Sequence, residues 1–176
     1  MPSPTKLAHV VFQTNDVARL RAWWCNLLEA KVQYGNENVA FLAFDQEHHR
    51  VAMAKFGDHE PHQPNTVGMH HAAFTYADLG ALVHTYERLR DQGILPWWQI
   101  RHGPTLSVYY RDPDGNQAEL QVDVYDTVEE ANAFMYSPEF AANPIGIEFE
   151  MEDVVRLRRE GVPDAALLRR PDAPTR

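Results

Sequence analysis

Residues 9–28, "HVVFQTNDVARLRAWWCNLL", lie over residues 71–90, "HAAFTYADLGALVHTYERLR", without a gap at one offset (71 − 9 = 62). His9 falls on His71, Phe12 on Phe74, Asp16 on Asp78, Leu20 on Leu82 and Leu27 on Leu89. Identities at a single ungapped offset mark an internal repeat. The residue classes agree with the identities: each copy reads as a short apolar strand, a turn and an amphipathic helix. Asp16 and Asp78 each stand at an N-cap position, ahead of apolar residues at helical spacing: Val17, Leu20, Trp24 and Leu27 in the first copy, Leu79, Leu82, Tyr86 and Leu89 in the second.

The remainder of each copy has strand character. "KVQYG", "NVAFLAF" and "HRVAMAKF" follow the first helix, and "LPWWQIR", "TLSVYY" and "QAELQVDV" follow the second, with "DPDGN" as a tight turn before the last. Each copy is therefore β-α-β-β-β. The copies also match at their final hairpins, where "DQEHHRVAM" from Asp45 and "DPDGNQAEL" from Asp112 have equal length (112 − 45 = 67), which sets Ala52 against Glu119. The fold class expected is α+β: two tandem βαβββ modules, about residues 5–57 and 67–125, forming a cupped mixed sheet within a domain spanning 1–125. Residues 126–176 break the repeat. "TVEEANAFMY", "MEDVVRLRREG" and "PDAALLRR" are helical in period, with acidic residues early and Arg late, and a turn-rich "SPEFAANPIG" lies between the first two. A helical C-terminal extension is expected there, ending in a mobile Pro-rich tail.

Composition narrows the class of partner. Of 176 residues, 44% are hydrophobic and 23% charged, an ordinary globular balance, and no apolar run reaches the roughly 20 residues of a membrane span. The N-terminus lacks the pattern of a secretion signal, and a single cysteine, Cys25, precludes an internal disulfide framework, so a soluble cytoplasmic protein is expected. A formal net charge of −9 argues against nucleic acid. Small-molecule partners are expected, with no membrane association and with assembly as a homo-oligomer.

Strand alternation then sorts the nine histidines. His9, Val11 and Gln13 share one face; in the second copy His71, Ala73 and Thr75 do, and the repeat gives His71, rather than His70, the place of His9. In the last strand Gln117, Glu119, Gln121 and Asp123 face opposite Ala118, Leu120 and Val122. Two imidazoles and a carboxylate, from three strands, form a set that binds a divalent ion on one face and leaves the other positions open to substrate. His48, His59 and His62 sit in polar loop sequence and His84 on a helix, where solvent exposure is expected. Cys25, beside Trp23 and Trp24, reads as core.

The paired modules, with "AHVVF…ND", "MHHAAF" and "DPDGNQAEL", resemble the vicinal-oxygen-chelate superfamily over about residues 5–125. This superfamily includes glyoxalase I, fosfomycin-resistance transferases, bleomycin-binding proteins and type I extradiol dioxygenases. Within it, "EHHRVAMAKF" is similar to a segment of the extradiol dioxygenases that carries an active-site histidine, here His49. "RHGPTLSVYYRDPDGNQAEL" is similar to their closing segment, which supplies His102, Tyr109 and Glu119. The interval from His102 to Glu119 is about two residues shorter than in that family.

The resemblance implies a small one-domain extradiol dioxygenase. Its metal would be Fe(II), or alternatively Mn(II), held by His9, His71 and Glu119, with His49, His102 and Tyr109 as the catalytic acid-base and charge-stabilising groups. Its substrates would be O2 and a catechol-type aromatic diol, such as catechol or 2,3-dihydroxybiphenyl, with Trp97 and Trp98 as walls. The superfamily offers other readings. Another metal-dependent isomerase, epimerase or lyase is the alternative enzyme, although a glyoxalase-like isomerase is disfavoured because the place of that family's first-module glutamate is taken by Ala52, unless Glu47 or another residue substitutes. A transferase acting on a phosphonate needs clustered cations, and Arg50, Lys55 and Arg101 are scattered in sequence. A ligand-binding resistance protein would have no use for the triad.

Overall fold

A computed structural model describes residues 2–63 and 66–172. Pro64 and Asn65, in the loop between the repeats, and residues 173–176 of the expected tail lie outside the described residues. The first repeat runs β1 (Val10–Gln13), α1 (Val17–Leu28), β2 (Lys31–Gly35), β3 (Val39–Ala43) and β4 (Val51–Ala54). The second runs β5 (Ala72–Thr75), α2 (Leu79–Asp91), β6 (Trp98–Arg101), β7 (Thr105–Arg111) and β8 (Gln117–Asp123). After it come α3 (Val128–Met135), α4 (Pro138–Ala142), β9 (Ile147–Glu148), α5 (Met151–Arg159) and α6 (Asp164–Leu168). The fold is α+β with a C-terminal extension rich in helix.

Both helices begin where the sequence capped them. Asp16 accepts from the Arg19 amide at 3.0 Å and Asp78 from the Ala81 amide at 2.8 Å, each satisfying a donor that has no partner within its helix. Val17, Leu20, Trp24 and Leu27 are buried on α1; Leu79, Leu82, Tyr86 and Leu89 are buried on α2. Burying one such leucine contributes about 1.5–3 kcal/mol.

The strands form two sheets, ordered β1-β4-β3-β2 and β5-β8-β7-β6-β9. In the first, β1 runs parallel to β4, with Val11 opposite Ala52, and β3 is antiparallel to both of its neighbours. The hydrogen bond from the Thr14 amide to the Ala54 carbonyl, 3.1 Å, has a counterpart from the Tyr76 amide to the Gln121 carbonyl, 2.8 Å. The donors differ by 62 (76 − 14) and the acceptors by 67 (121 − 54), so both alignments hold in the backbone and Ala52 is the repeat mate of Glu119.

Two compact units result: Met1–Ala72 with Arg111–Asn116, and Ala73–Tyr110 with Gln117–Arg176. In the first, the "DPDGN" turn serves α1. Buried Asp112 accepts from Trp24 Nε1 at 3.1 Å while its other oxygen takes the amides of Asp114 and Asn116, and Asp114 takes the hydroxyl of Thr14. In the second, the extension carries two elements that periodicity could not announce. β9 pairs antiparallel with the edge of β6, Ile147 opposite Arg101 and Glu148 opposite Ile100, which occupies backbone groups an edge strand would leave open. α4 forms within the turn-rich stretch because Ser137 caps the Phe140 amide and Pro138 opens the helix. No helix among the described residues is long and apolar enough to cross a membrane.

Candidate active site

His9 immediately precedes β1 and His49 precedes β4, and since these strands are parallel neighbours the two rings meet, with centroids 4.3 Å apart. Phe41 of β3 stacks on His49 at 4.9 Å, and Tyr34 of β2 lies 5.9 Å from Phe41. An aromatic row therefore crosses the first sheet and ends on His9. Partial burial, then the neighbouring His9 and His48, lowers the pKa of His49 below its ordinary range. Its neutral form is favoured, and a neutral imidazole can take up a proton. His48 Nδ1 lies 2.5 Å from His49 Nδ1.

The open face predicted for β1 and β5 is present: Val11 and Gln13, and Ala73 and Thr75, are exposed, whereas Phe12 is buried and Phe74 half-buried. His71 is half-buried and His70 exposed. Their Nδ1 atoms are 2.7 Å apart. Either Nδ1 can be the donor of this bond; a proton on His71 Nδ1 would leave the lone pair of His71 on Nε2.

In the second unit, Glu119 is only 4% exposed although it belongs to the polar face of β8. A carboxylate so buried needs a cation or hydrogen-bond donors. Tyr109 of β7 can be one donor: burial, then the Glu119 carboxylate, raise the pKa of its phenol well above the ordinary range, so it keeps its one hydrogen, which serves either Glu119 or a second acceptor. The Tyr109 hydroxyl also lies 3.0 Å from His102 Nε2. Trp98 packs on Tyr109 at 4.8 Å and on His102 at 5.8 Å, and Trp97 stacks on Trp98 at 5.8 Å. His102, Tyr109, Glu119 and the two tryptophans are thus one contiguous group.

Of the proposed ligands, His9 and His71 belong to the first unit and Glu119 to the second. Among the described residues, no three His, Cys, Asp or Glu side chains are gathered into a metal-binding cluster. As a donor set, two imidazoles and one carboxylate fit Fe(II) or Mn(II). Glu47, the possible substitute for the missing carboxylate at Ala52, is engaged by Lys6 and lies 3.9 Å from Arg50. Arg50 bonds Asp45 and the Leu7 carbonyl, Lys55 lies 3.8 Å from Asp58, and Arg101 lies over the Phe149 ring and donates to the Leu167 carbonyl. These cations have partners of their own, which disfavours a phosphonate site.

Sequence reasoning missed the groups that hold His102 and Trp98. Trp98 Nε1 donates to Glu148 at 2.8 Å, His102 Nδ1 meets the Ile145 carbonyl, and fully buried Arg170 donates to the His102 carbonyl at 3.0 Å. "NPIG" reads as a turn and "LLRR" as a basic helix end, and neither carries a local sign of its partner.

Residues 6–120 match the family model of the Glyoxalase/Bleomycin resistance protein/Dioxygenase superfamily, and the chain belongs to that superfamily. Among its curated relatives, biphenyl-2,3-diol 1,2-dioxygenase 2 of Rhodococcus globerulus is 43% identical over 93% of this chain and 86% of its own length. Biphenyl-2,3-diol 1,2-dioxygenase 3 of the same organism is 42% identical over 94% of this chain and 88% of its own. Among solved structures, a glyoxalase/bleomycin resistance protein/dioxygenase from Alicyclobacillus acidocaldarius shares the fold with a TM-score of 0.57, at 15% identity over 72% of this chain and 97% of its own.

Proposed function

We propose that this chain is a type I extradiol dioxygenase that opens a catechol-type ring, such as that of 2,3-dihydroxybiphenyl or catechol, beside its paired hydroxyls. The observation that carries the reading is the 43% identity to a biphenyl-2,3-diol 1,2-dioxygenase over 93% of the chain, well beyond the residues common to the superfamily. Fe(II), held by His9, His71 and Glu119, would supply positions for both diol oxygens and for O2, whose two atoms end in the ring-opened product. Mn(II) suits the same donors.

The chain's own residues divide the proton work. His49, favoured as neutral, takes a proton from a diol hydroxyl. His102 and Tyr109 form a second proton-handling pair. With Nδ1 donating to a carbonyl, neutral His102 can only accept at Nε2, and Tyr109 donates to it. When Nε2 takes up the second proton released by the diol it becomes a donor, and the Tyr109 hydroxyl turns its hydrogen toward Glu119. A proton delivered at this end and a phenol that stays protonated together offset negative charge developing on the opening ring. Trp97 and Trp98 form an aromatic wall for the substrate.

The test is anaerobic loading with Fe(II), followed by oxygen uptake and visible absorbance on adding catechol or 2,3-dihydroxybiphenyl. One O2 consumed per diol with a yellow product is the expected result. Turnover of a substrate without O2 would instead establish a non-oxidative member of the superfamily.

A further inference from the structure

The C-terminal extension closes on residues 98–103 of the second repeat from several directions. Trp98 is held by Glu148. The Gln99 side chain accepts from the Met151 amide at 2.7 Å and its carbonyl from the Phe149 amide at 3.3 Å. Arg101 pairs with Ile147 and donates to the Leu167 carbonyl at 3.0 Å. At Gly103, with φ +113°, a Cβ would lie 2.0 Å from the ring of Phe134, so α3 has its aromatic ring where only glycine leaves room. His102 lies in the middle of this segment.

The contacts to His102 differ in kind from packing. A carbonyl oxygen only accepts, so the Ile145 carbonyl requires the hydrogen to be on His102 Nδ1. In the neutral ring that leaves the lone pair on Nε2, the atom 3.0 Å from the Tyr109 hydroxyl. The loop that presents this carbonyl is itself fastened. Asn143 donates to the Gly146 carbonyl at 2.7 Å and accepts from the Gly146 amide at 3.0 Å. Gly146, at φ +120°, passes so close to β6 that a Cβ would fall 2.2 Å from the Arg101 carbonyl. Arg170 then joins both sides: it donates to the His102 carbonyl at 3.0 Å and the Asn143 carbonyl at 2.8 Å, and is itself paired with Asp172.

We propose that the Asn143–Gly146 loop, clasped by Arg170, is a positioning device that sets the tautomer of His102 through the Ile145 carbonyl and so keeps Nε2 directed to Tyr109. The inference rests on the role given to His102 above, and it assigns the extension a part in the reaction beyond stability. Asn143, Gly146 and Arg170 act through His102 and touch no reacting atom.

The decisive readout is the ¹⁵N NMR signature of the His102 ring in the full-length protein, assigned by its absence in His102→Gln. The unsubstituted protein is expected to show a protonated Nδ1 and an unprotonated Nε2. Gly146→Ala, which pushes the loop off β6, should move the ring toward the Nε2-protonated tautomer and lower kcat about tenfold or more with KM nearly unchanged. Asn143→Ala is the milder variant should Gly146→Ala not fold, and Asn143→Asp, which keeps the acceptor for the Gly146 amide, should recover part of the loss. An Nε2-protonated ring in the unsubstituted protein overturns the inference. So does an unchanged ring signature in a folded Gly146→Ala or Asn143→Ala protein. The tautomer measurement needs no turnover, so failure of oxygen uptake by the unsubstituted protein would count against the dioxygenase reading and leave this inference to be decided separately.

Discussion

Trp98 Nε1 donates to Glu148 Oε1 across 50 residues of sequence, and this fixes the indole against Tyr109. Replacing Glu148 with Ala removes the acceptor and leaves the ring free to rotate. One hydrogen bond of about 1 kcal/mol corresponds to roughly a fivefold change. KM for 2,3-dihydroxybiphenyl is expected to rise by about that factor, with a smaller change for single-ring catechol. Steady-state kinetics on both diols check this; identical KM values in variant and parent would place Trp98 away from the substrate.

His71→Ala and His70→Ala test the proposed ligand against its neighbour. Loss of a ligand should abolish stoichiometric iron, whereas loss of a group that only orients a ligand costs about 10- to 100-fold in affinity. Metal analysis after anaerobic loading and gel filtration is the measurement, with Glu119→Ala expected to behave as His71→Ala does. Iron retained at full occupancy in Glu119→Ala would remove it from the set.

Asp112 accepts four hydrogen bonds, two at each carboxylate oxygen. Asp112→Asn keeps one acceptor atom for the two amides but turns an NH2 group toward Trp24 Nε1 and Asn116 Nδ2, which are donors themselves. The opposed donors are expected to cost about 2 kcal/mol of stability. Urea unfolding monitored by intrinsic tryptophan fluorescence tests it.

The packing of α5 on α2 is expected to depend on pH. Glu152 accepts from Arg90 and from the Tyr86 hydroxyl at 2.9 Å each, and these bonds hold its carboxyl below its ordinary value of 4.5. A group depressed on folding contributes stability that is fully present above the unfolded pKa and is lost as pH falls through the folded one. Thermal unfolding between pH 6 and pH 3 should therefore fall less steeply in Glu152→Gln than in the parent. Parallel curves would show that the contact carries no proton linkage.

Much of the architecture was legible from the sequence because it rests on short-range rules. The Asp16 and Asp78 caps, the apolar spacing of α1 and α2 and the alternation of β8 each depend on residues within a few positions of one another. The repeat extended that reach. Two offsets, 62 and 67, related Ala52 to Glu119, and the backbone bonds of Thr14 and Tyr76 keep the same offsets. The burial of Glu119 was not legible, since a carboxylate on the polar side of a strand ordinarily meets water.

What the sequence determined by itself is the paired βαβββ plan and the candidates His9, His71 and Glu119, through periodicity, capping and internal repetition. Only the tertiary structure decided which groups surround them. His49 comes to His9 because β1 and β4 are parallel neighbours, and His102 receives its tautomer from a carbonyl 43 residues away and its anchor from an arginine 68 residues away. Such contacts follow no local period. Strand pairing and the path of the extension bring distant segments side by side, and Arg170, a charged side chain buried in the process, must then be hydrogen-bonded within the protein.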